Sequence, residues 1–101
     1  MVFLYELSQD ADDDLVRIYD YTSEQFGNEQ AIKYLTGLED IFQNLCKNPL
    51  SGRNRNEIAE GIRSISFVSH VVFYKLKEEK LLIVRVLHAS RDVTRYFPLQ
   101  E

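Results

Sequence analysis

The side chains best suited to chemistry in this chain of 101 residues are cationic and lie in its second half. A guanidinium holds a phosphate or a carboxylate through two parallel hydrogen bonds, so clustered arginines suit anionic partners. The arginines concerned, with a histidine and a tyrosine close to them in sequence, are Arg53, Arg55, Arg63, Arg85, His88, Arg91, Arg95 and Tyr96. This group predicts a basic patch that binds nucleic acid or an acidic protein.

The common motifs of enzymes and metal sites are missing from the sequence. There is no phosphate loop, dinucleotide fingerprint, zinc spacing or nucleophile elbow. The histidines, His70 and His88, are eighteen positions apart, and the single cysteine, Cys46, has no activating motif around it. The acidic run from Asp10 to Asp14 lacks the spacing and the glycine of an EF-hand, which favours helix capping and a solvated face. We therefore expect no metal and no cofactor.

Two of the arginines fall inside predicted strands. Regular alternation on the last strand places Ile83, Arg85 and Leu87 on one face. An arginine in the middle of a strand is costly to bury alone, so Arg63 and Arg85 should reach solvent or meet a carboxylate. Arg85 has two alternative roles at this point, either in a structural ion pair or in the basic patch. The opposite face of the same strand would carry Val84, Val86 and His88.

Two amphipathic helices precede these strands. Val2–Leu7 alternates as a first strand, and Ser8 is a plausible helix N-cap. The first apolar stripe, which Gly27 ends, comprises Ala11, Leu15, Ile18, Thr22 and Phe26. The second, which Asn48-Pro49 ends, comprises Ala31, Leu35, Leu38, Ile41, Phe42 and Leu45. Helices joined by so short a turn are expected to form an antiparallel hairpin.

Beyond a polar loop at Leu50–Glu60, the hydrophobic period changes from helical to two. Ile62–Val68, Val71–Lys77 and Leu81–Leu87 predict three strands joined by short turns. The sequence therefore predicts one α+β domain over residues 1–101, in the order β-α-α-β-β-β. The helical hairpin should cover one face of a small, mainly antiparallel sheet.

Charge is distributed unevenly along the chain. The net charge is −4, with ten carboxylates against two basic residues in 1–45, and ten basic residues against six carboxylates in 46–101. Such a domain can present a positive face while remaining acidic overall. No apolar run approaches the roughly 20 residues of a transmembrane helix, and the first residues lack a secretory signal. We expect a cytoplasmic protein without a membrane partner.

Fragments spread over most of the chain occur in an order that resembles ParE-type toxins of the RelE/ParE superfamily. The helical fragments are Leu7-Ser8, Ala11, Asp14-Leu15, Ile18, Tyr21-Thr22, Phe26-Gly27, Tyr34, Leu38, Leu45, Asn48-Pro49 and Gly52-Arg53. The most specific fragments are Gly61-Ile62-Arg63-Ser64, Ser69-His70-Val71-Val72-Phe73-Tyr74 and Ile83-Val84-Arg85-Val86-Leu87-His88, followed by Asp92. Each fragment alone is weak, but their joint order and spacing carry the resemblance.

The resemblance implies the toxin of a type II toxin–antitoxin system, which inhibits DNA gyrase and blocks replication. Such a toxin catalyses nothing itself, because its effect comes from binding. The candidates for target binding are Arg63, Arg85, His88, Arg91 and Arg95. We expect no stable nucleic-acid binding by the toxin alone.

The sister activity in this superfamily is RelE-like cleavage of mRNA on the ribosome. Such a ribonuclease needs a base for the 2′-hydroxyl, cations for the phosphorane and an acid for the leaving oxygen. The candidates for those roles are Arg63, His88, Arg91 and Tyr96. Residues 50–60 contain no lysine, and Val86-Leu87-His88 with the following Asp92 resembles ParE-type toxins, so the gyrase inhibitor is preferred. A non-toxic homologue that still binds an antitoxin is a third possibility.

The resemblance also implies a cognate antitoxin that folds on the toxin and forms a hetero-oligomer with it. The antitoxin would lay an amphipathic helix and an extended stretch over the surface. Tyr19, Tyr21 and Tyr34 flank the two helix stripes and are our candidates for that contact. Ordinary packing at the edge of the core is the alternative role for these tyrosines.

Overall fold

A computed structural model describes residues 4–97 of the chain. The helices and strands within that range are β1 (Leu4–Leu7), α1 (Gln9–Phe26), α2 (Asn28–Lys47), β2 (Arg53–Asn54), β3 (Arg63–Phe67), β4 (His70–Lys77) and β5 (Lys80–His88). A 3-10 turn at Val93–Arg95 follows. The predicted order is confirmed, with one addition. The segment that was predicted as a loop contains the two-residue strand β2, in which Arg53 pairs with Ser64.

The helix ends follow from local chemistry. The Ser8 side chain accepts a hydrogen bond from the Ala11 amide at 3.0 Å, and Asp10 and Asp12 occupy the first turn of α1. Carboxylates there complement the unpaired amides and the positive end of the helix dipole. Gly27 has a φ of 92°, a left-handed value that glycine adopts without steric cost, and it separates α1 from α2.

The sheet has the order β1-β5-β4-β3-β2, and the first strand therefore lies beside the last. β1 runs parallel to β5, whereas the other pairs are antiparallel. The main core lies between the helices and this sheet, and it includes Leu38, Phe42, Val72, Tyr74 and Ile83. A smaller cluster of Ile62, Phe73, Leu87 and Phe97 forms apart from it. The chain after β5 supplies part of that second cluster.

A β-bulge in β5 overturns the predicted alternation. Phe73 of β4 faces Arg85, but Tyr74 faces Ile83, so Val84 is an extra residue on β5. Ile83 and Val86 consequently belong to the same core, although strict alternation had put them on opposite faces. The predicted set of Ile83, Arg85 and Leu87 on one face is wrong, because the extra residue inverts the pattern beyond Val84.

The hydroxyl of Tyr74 connects the core to the segment before β2. It accepts a hydrogen bond from the Gly52 amide at 2.8 Å and donates one to the Pro49 carbonyl at 2.9 Å. Arg63 holds the same segment, since its Nη1 donates to the Gly52 carbonyl at 2.7 Å and to the Leu50 carbonyl at 3.3 Å. Arg63 is thus partly exposed, as the sequence suggests, and its hydrogen bonds go to backbone carbonyls rather than to a carboxylate.

We expect Tyr74→Phe to lower the free energy of unfolding by about 1–3 kcal/mol, because the buried Gly52 amide loses its acceptor. Urea unfolding followed by circular dichroism measures the change. Tyr21→Phe is the control, because that side chain is 62% exposed. Equal stabilities of the two variants would show that the Tyr74 hydroxyl does not stabilise the loop.

Candidate functional site

Most of the residues singled out from the sequence meet in one cleft. Its volume is about 1400 Å³, and it lies between α1, the start of α2, the β3–β4 turn and the chain after β5. Of the predicted site residues, those that line it are Tyr21, Tyr34, Arg85, His88, Arg91, Arg95 and Tyr96. We refer to this feature as the cleft. Arg63 and Tyr19 are not among its lining residues.

An ion pair between α1 and β5 forms the polar end of the cleft. Arg85 donates from Nε to Asp14 Oδ2 at 2.8 Å and from Nη2 to Asp14 Oδ1 at 2.7 Å. Arg17 adds a third contact to the Asp14 carboxylate at 3.1 Å. The Arg85 guanidinium also lies over the Tyr96 ring, 4.8 Å from its centroid. For Arg85, the structure therefore shows the ion pair, and its hydrogen bond with Asp14 raises the pKa of the guanidinium.

The position of Asp14 follows from where β1 ends. The parallel register stops at Leu7 and Ile83, so the next residues of β5 have no strand on that side. The Ser8 hydroxyl donates to the Val84 carbonyl at 2.7 Å, and Asp14 Oδ2 accepts from the Val86 amide at 2.9 Å. Side chains from the start of α1 thus replace the missing strand.

Asp14 is only 4% exposed, so the solvated-face interpretation of the acidic run is wrong for this residue. The sequence did contain a signal of its burial. Asp14 lies three residues after Ala11 and four before Ile18, in the middle of the buried stripe of α1. A carboxylate at such a position indicates a buried cationic partner.

Two arginines on the rim of the cleft are exposed to solvent. Arg91 and Arg95 flank Asp92, whose carboxylate accepts hydrogen bonds from the Thr94 amide at 3.1 Å and the Thr94 hydroxyl at 2.7 Å. These bonds lower the pKa of Asp92. Within residues 4–97, neither arginine lies within salt-bridge distance of a carboxylate. Both guanidinium groups are therefore available to an anionic partner.

Between the arginines and α2, the cleft is lined by a tyrosine and two histidines. The Tyr34 hydroxyl lies 2.6 Å from His70 Nδ1, and the His70 and His88 rings are 5.4 Å apart at their centroids. Burial, and then the nearby His88, lower the pKa of His70. The Ser90 amide donates to His88 Nδ1 at 3.1 Å. Both histidines therefore have polar partners within the protein.

The other end of the cleft is apolar and exposed. Tyr21, Phe26 and Val68 line it, with exposed fractions of 62%, 69% and 78%. The sequence interpretation assigns Phe26 to the apolar stripe of α1 that packs in the core, which is wrong, because Phe26 is the last residue of α1, beside the Gly27 turn, and its side chain is largely exposed. It had no assignment for Val68 in this site. The sequence interpretation places Val68 at the end of a strand, whereas the structure places it in the turn between β3 and β4.

Arg63 and Tyr19 lie apart from the cleft. In the sheet, Arg63 of β3 pairs with Tyr74 of β4. His88 of β5 pairs with His70, which lies nearer the other end of β4. The four residue steps from His70 to Tyr74 correspond to about 13 Å along the sheet. The Tyr19 hydroxyl is hydrogen-bonded to the Asn28 side chain.

Metal-binding clusters and membrane-crossing helices are both absent from residues 4–97. No group of three or more histidine, cysteine, aspartate or glutamate side chains there is arranged to hold a metal ion. Neither α1 nor α2 combines the length and the hydrophobicity that a membrane-crossing helix needs.

The sequence matches the family described as the ParE toxin of the type II toxin–antitoxin system parDE, over residues 5–93. Among the relatives is Toxin ParE1 of Mycobacterium tuberculosis, which is 39% identical over 92 residues. That alignment covers 90% of this chain and 94% of the relative.

Solved structures share the fold. A chain of the chromosomal ParDE TA system from P. aeruginosa aligns with a TM-score of 0.76 at 20% identity, covering 86% of this chain and 96% of that one. A chain of the toxin–antitoxin complex RelBE2 from Mycobacterium tuberculosis aligns with a TM-score of 0.62 at 21% identity, covering 87% and 99%. At these identities, the likeness concerns the fold alone.

Proposed function

The chain belongs to the ParE toxin family of type II toxin–antitoxin systems, and on that premise we propose that it blocks replication by binding DNA gyrase. The observation that carries the target surface is the exposed pair Arg91 and Arg95 on the rim of the cleft. Exposed guanidinium groups without carboxylate partners suit an acidic surface or a phosphate. His88, which is also exposed, lies beside them in the same cleft.

The remaining target-binding candidates have different places in this proposal. Arg85 lies in the cleft with its side chain only 12% exposed, and its pairing with Asp14 suits it to positioning the site. Arg63 is bonded to the Leu50 and Gly52 carbonyls, outside the cleft. A contact between Arg63 and gyrase would therefore need a second surface, and we give Arg91 and Arg95 the main role.

The geometry supports a binding protein over the ribonuclease alternative. The proposed catalytic set joins Arg63, His88, Arg91 and Tyr96, yet Arg63 is about 13 Å along the sheet from the level of His88. General acids, bases and phosphate-binding cations must act within hydrogen-bonding reach of one scissile bond. Tyr96 also has its ring stacked against the Arg85 guanidinium. This separation favours a toxin that acts by binding alone.

A cognate antitoxin is the second proposed partner, and the toxin and antitoxin would form a hetero-oligomer. Tyr21 and Tyr34 line the cleft, and Tyr21 is largely exposed, so both are placed to contact a bound segment. The hydroxyl of Tyr34 is hydrogen-bonded within the protein and its ring packs against Phe67 and His70, so only the part of the ring that lines the cleft would meet a bound segment. Tyr19 lies outside the cleft and would contribute from the adjoining face of α1.

A supercoiling assay tests the proposed function. Purified toxin is added to DNA gyrase, ATP and relaxed plasmid, with and without the antitoxin encoded beside it. We expect loss of supercoiling or accumulation of cleaved DNA, and recovery when antitoxin is added. A matched reaction with topoisomerase I controls for effects on DNA itself.

Three outcomes separate the candidate functions. Unaffected gyrase with cleavage of mRNA on ribosomes would replace this proposal with the ribonuclease. Unaffected gyrase and intact mRNA, with antitoxin still bound, would identify the non-toxic homologue. Inhibition that antitoxin does not relieve would exclude the proposed pairing of toxin and antitoxin.

A further inference from the structure

The turn between β3 and β4 has a residue that is poorly suited to its conformation. Val68 has a φ of 50°, in the left-handed region, and its side chain is 78% exposed. A β-branched side chain is strained at such a φ, where glycine and asparagine are favoured. Burial does not offset that strain, because the side chain faces solvent. Glu78 has a similar φ in the other hairpin turn, but Val68 is apolar and lines the cleft, so its strained and exposed side chain indicates a contact with something outside this chain.

The turn is fixed in place relative to the rest of the cleft. The Ala89 amide donates to the Ser69 carbonyl at 2.8 Å, which holds the turn beside the segment that leads to Arg91. On the other side, the Ser69 amide donates to the Tyr34 hydroxyl at 3.3 Å, which holds the turn to α2. Val68 therefore presents a preorganised apolar side chain, and binding against it requires little further ordering.

The cleft has a polar end and an apolar end, and this difference defines the chemistry of its occupant. Along α1, the wall runs from Asp14 at the polar end to Phe26 at the apolar end, a distance of about 18 Å for twelve residues. An occupying helix of about three turns would span it. Its apolar side chains would face Tyr21, Phe26 and Val68, and its other end would meet Arg91 and Arg95.

Charge decides between protein and nucleic acid as that occupant. The chain carries a net charge of −4, which opposes long-range attraction of a polyanion. The exposed apolar side chains at one end of the cleft suit a protein, and the arginines at the other suit carboxylates.

We propose that Val68, with Phe26 and Tyr21, is the apolar anchor for one amphipathic helix of the antitoxin, and that carboxylates on the same helix bind Arg91 and Arg95. This inference rests on the proposed function, because it assigns a docking site to the antitoxin. It also implies that bound antitoxin covers the arginines proposed to bind gyrase. The strained turn then presents Val68 to the partner.

Val68→Asn tests the proposal, because it should raise the stability of the toxin and lower its affinity for antitoxin. Asparagine tolerates the left-handed region, so the substitution should relieve backbone strain at position 68. A strain energy near the lower end of the usual range corresponds to a rise in Tm of about 4 °C. The dissociation constant for antitoxin should increase at least about fivefold, since a preorganised apolar contact is lost. Differential scanning calorimetry and fluorescence titration with labelled antitoxin, prepared from the co-expressed complex, measure the two effects.

Glu78→Asn is the matched control. Glu78 has a φ of 58° in the other hairpin turn, outside the cleft, so this substitution should raise the Tm and leave antitoxin affinity unchanged. Phe26→Ser is a second test of the anchor, and Val16→Ser is its control, since Val16 is 55% exposed on the same helix but does not line the cleft. Phe26→Ser should weaken antitoxin binding more than Val16→Ser does.

The following outcomes would overturn the inference. Unchanged affinity in both Val68→Asn and Phe26→Ser, with wild-type toxin still binding antitoxin, would remove the anchor and leave the proposed function intact. A lower Tm in Val68→Asn would show that the residue serves the fold instead. Dimers of wild-type toxin that Val68→Asn dissociates would identify a second copy of the chain as the occupant. Failure of wild-type toxin to bind antitoxin would instead contradict the proposed function.

Discussion

Asp14→Ala is expected to lower the free energy of unfolding by about 3–5 kcal/mol, the typical cost of removing one partner of a buried ion pair. The substitution leaves the Arg85 guanidinium, which is only 12% exposed, without its carboxylate. It also removes the acceptor of the Val86 amide at the open side of β5. Urea unfolding measures the loss, which is a large part of the total stability of a domain of this size.

Two further variants separate the ion pair from ordinary charge effects. Asp20→Ala removes an exposed carboxylate from the same helix and should change stability by less than about 0.5 kcal/mol. The double variant Asp14→Leu with Arg85→Met removes both charges and should be more stable than Asp14→Leu alone, because no uncompensated charge stays buried. A double variant less stable than Asp14→Leu would mean that Arg85 stabilises the fold without Asp14.

Reversing both rim charges, with Arg91→Glu and Arg95→Glu, should raise the toxin concentration needed for half-inhibition of gyrase at least about tenfold. That factor corresponds to about 1.4 kcal/mol, a modest loss for two like-charge contacts with an acidic surface. The supercoiling assay measures it. Because both side chains are exposed and outside any ion pair among residues 4–97, the unfolding transition should change little.

The control for this variant carries the same change of net charge away from the cleft. Lys33→Glu with Arg53→Glu reverses two exposed cations, on α2 and β2, that do not line the cleft. Its inhibition of gyrase should stay close to that of the wild type at 150 mM salt, where the Debye length is about 8 Å. Equal losses in both variants would mean that net charge, rather than the rim arginines, governs the interaction.

The element order could be predicted because each element carries a local signal. Ser8 and Gly27 define the ends of α1, and the change of hydrophobic period after residue 60 indicates the strands. The bulge at Val84 could not be predicted, since it depends on the pairing of β4 with β5 and leaves no local mark in the sequence. The place of β1 beside β5 is likewise a property of the assembled sheet.

The candidate site was predicted in part. Arg85, His88, Arg91 and Arg95 come together because they lie on β5 and the chain that follows it, so their proximity is largely local. The partner of Arg85 could not be identified among many carboxylates, because Asp14 is 71 residues away and only tertiary packing selects it. The apolar end of the cleft joins Phe26 to Val68 from two separate turns.

The adjacency of the first and last strands also determines when a newly made chain can become toxic. β1 has its parallel partner in β5, and the Asp14–Arg85 pair closes a loop of 71 residues, so neither contact can form early in synthesis. At roughly 5–20 residues per second, the ribosome completes this chain in about 5–20 seconds. During that time the helical hairpin has no complete sheet to pack against. The cleft is assembled only after β5 has been made, so the rim arginines and the proposed antitoxin site appear together, at the last step of synthesis.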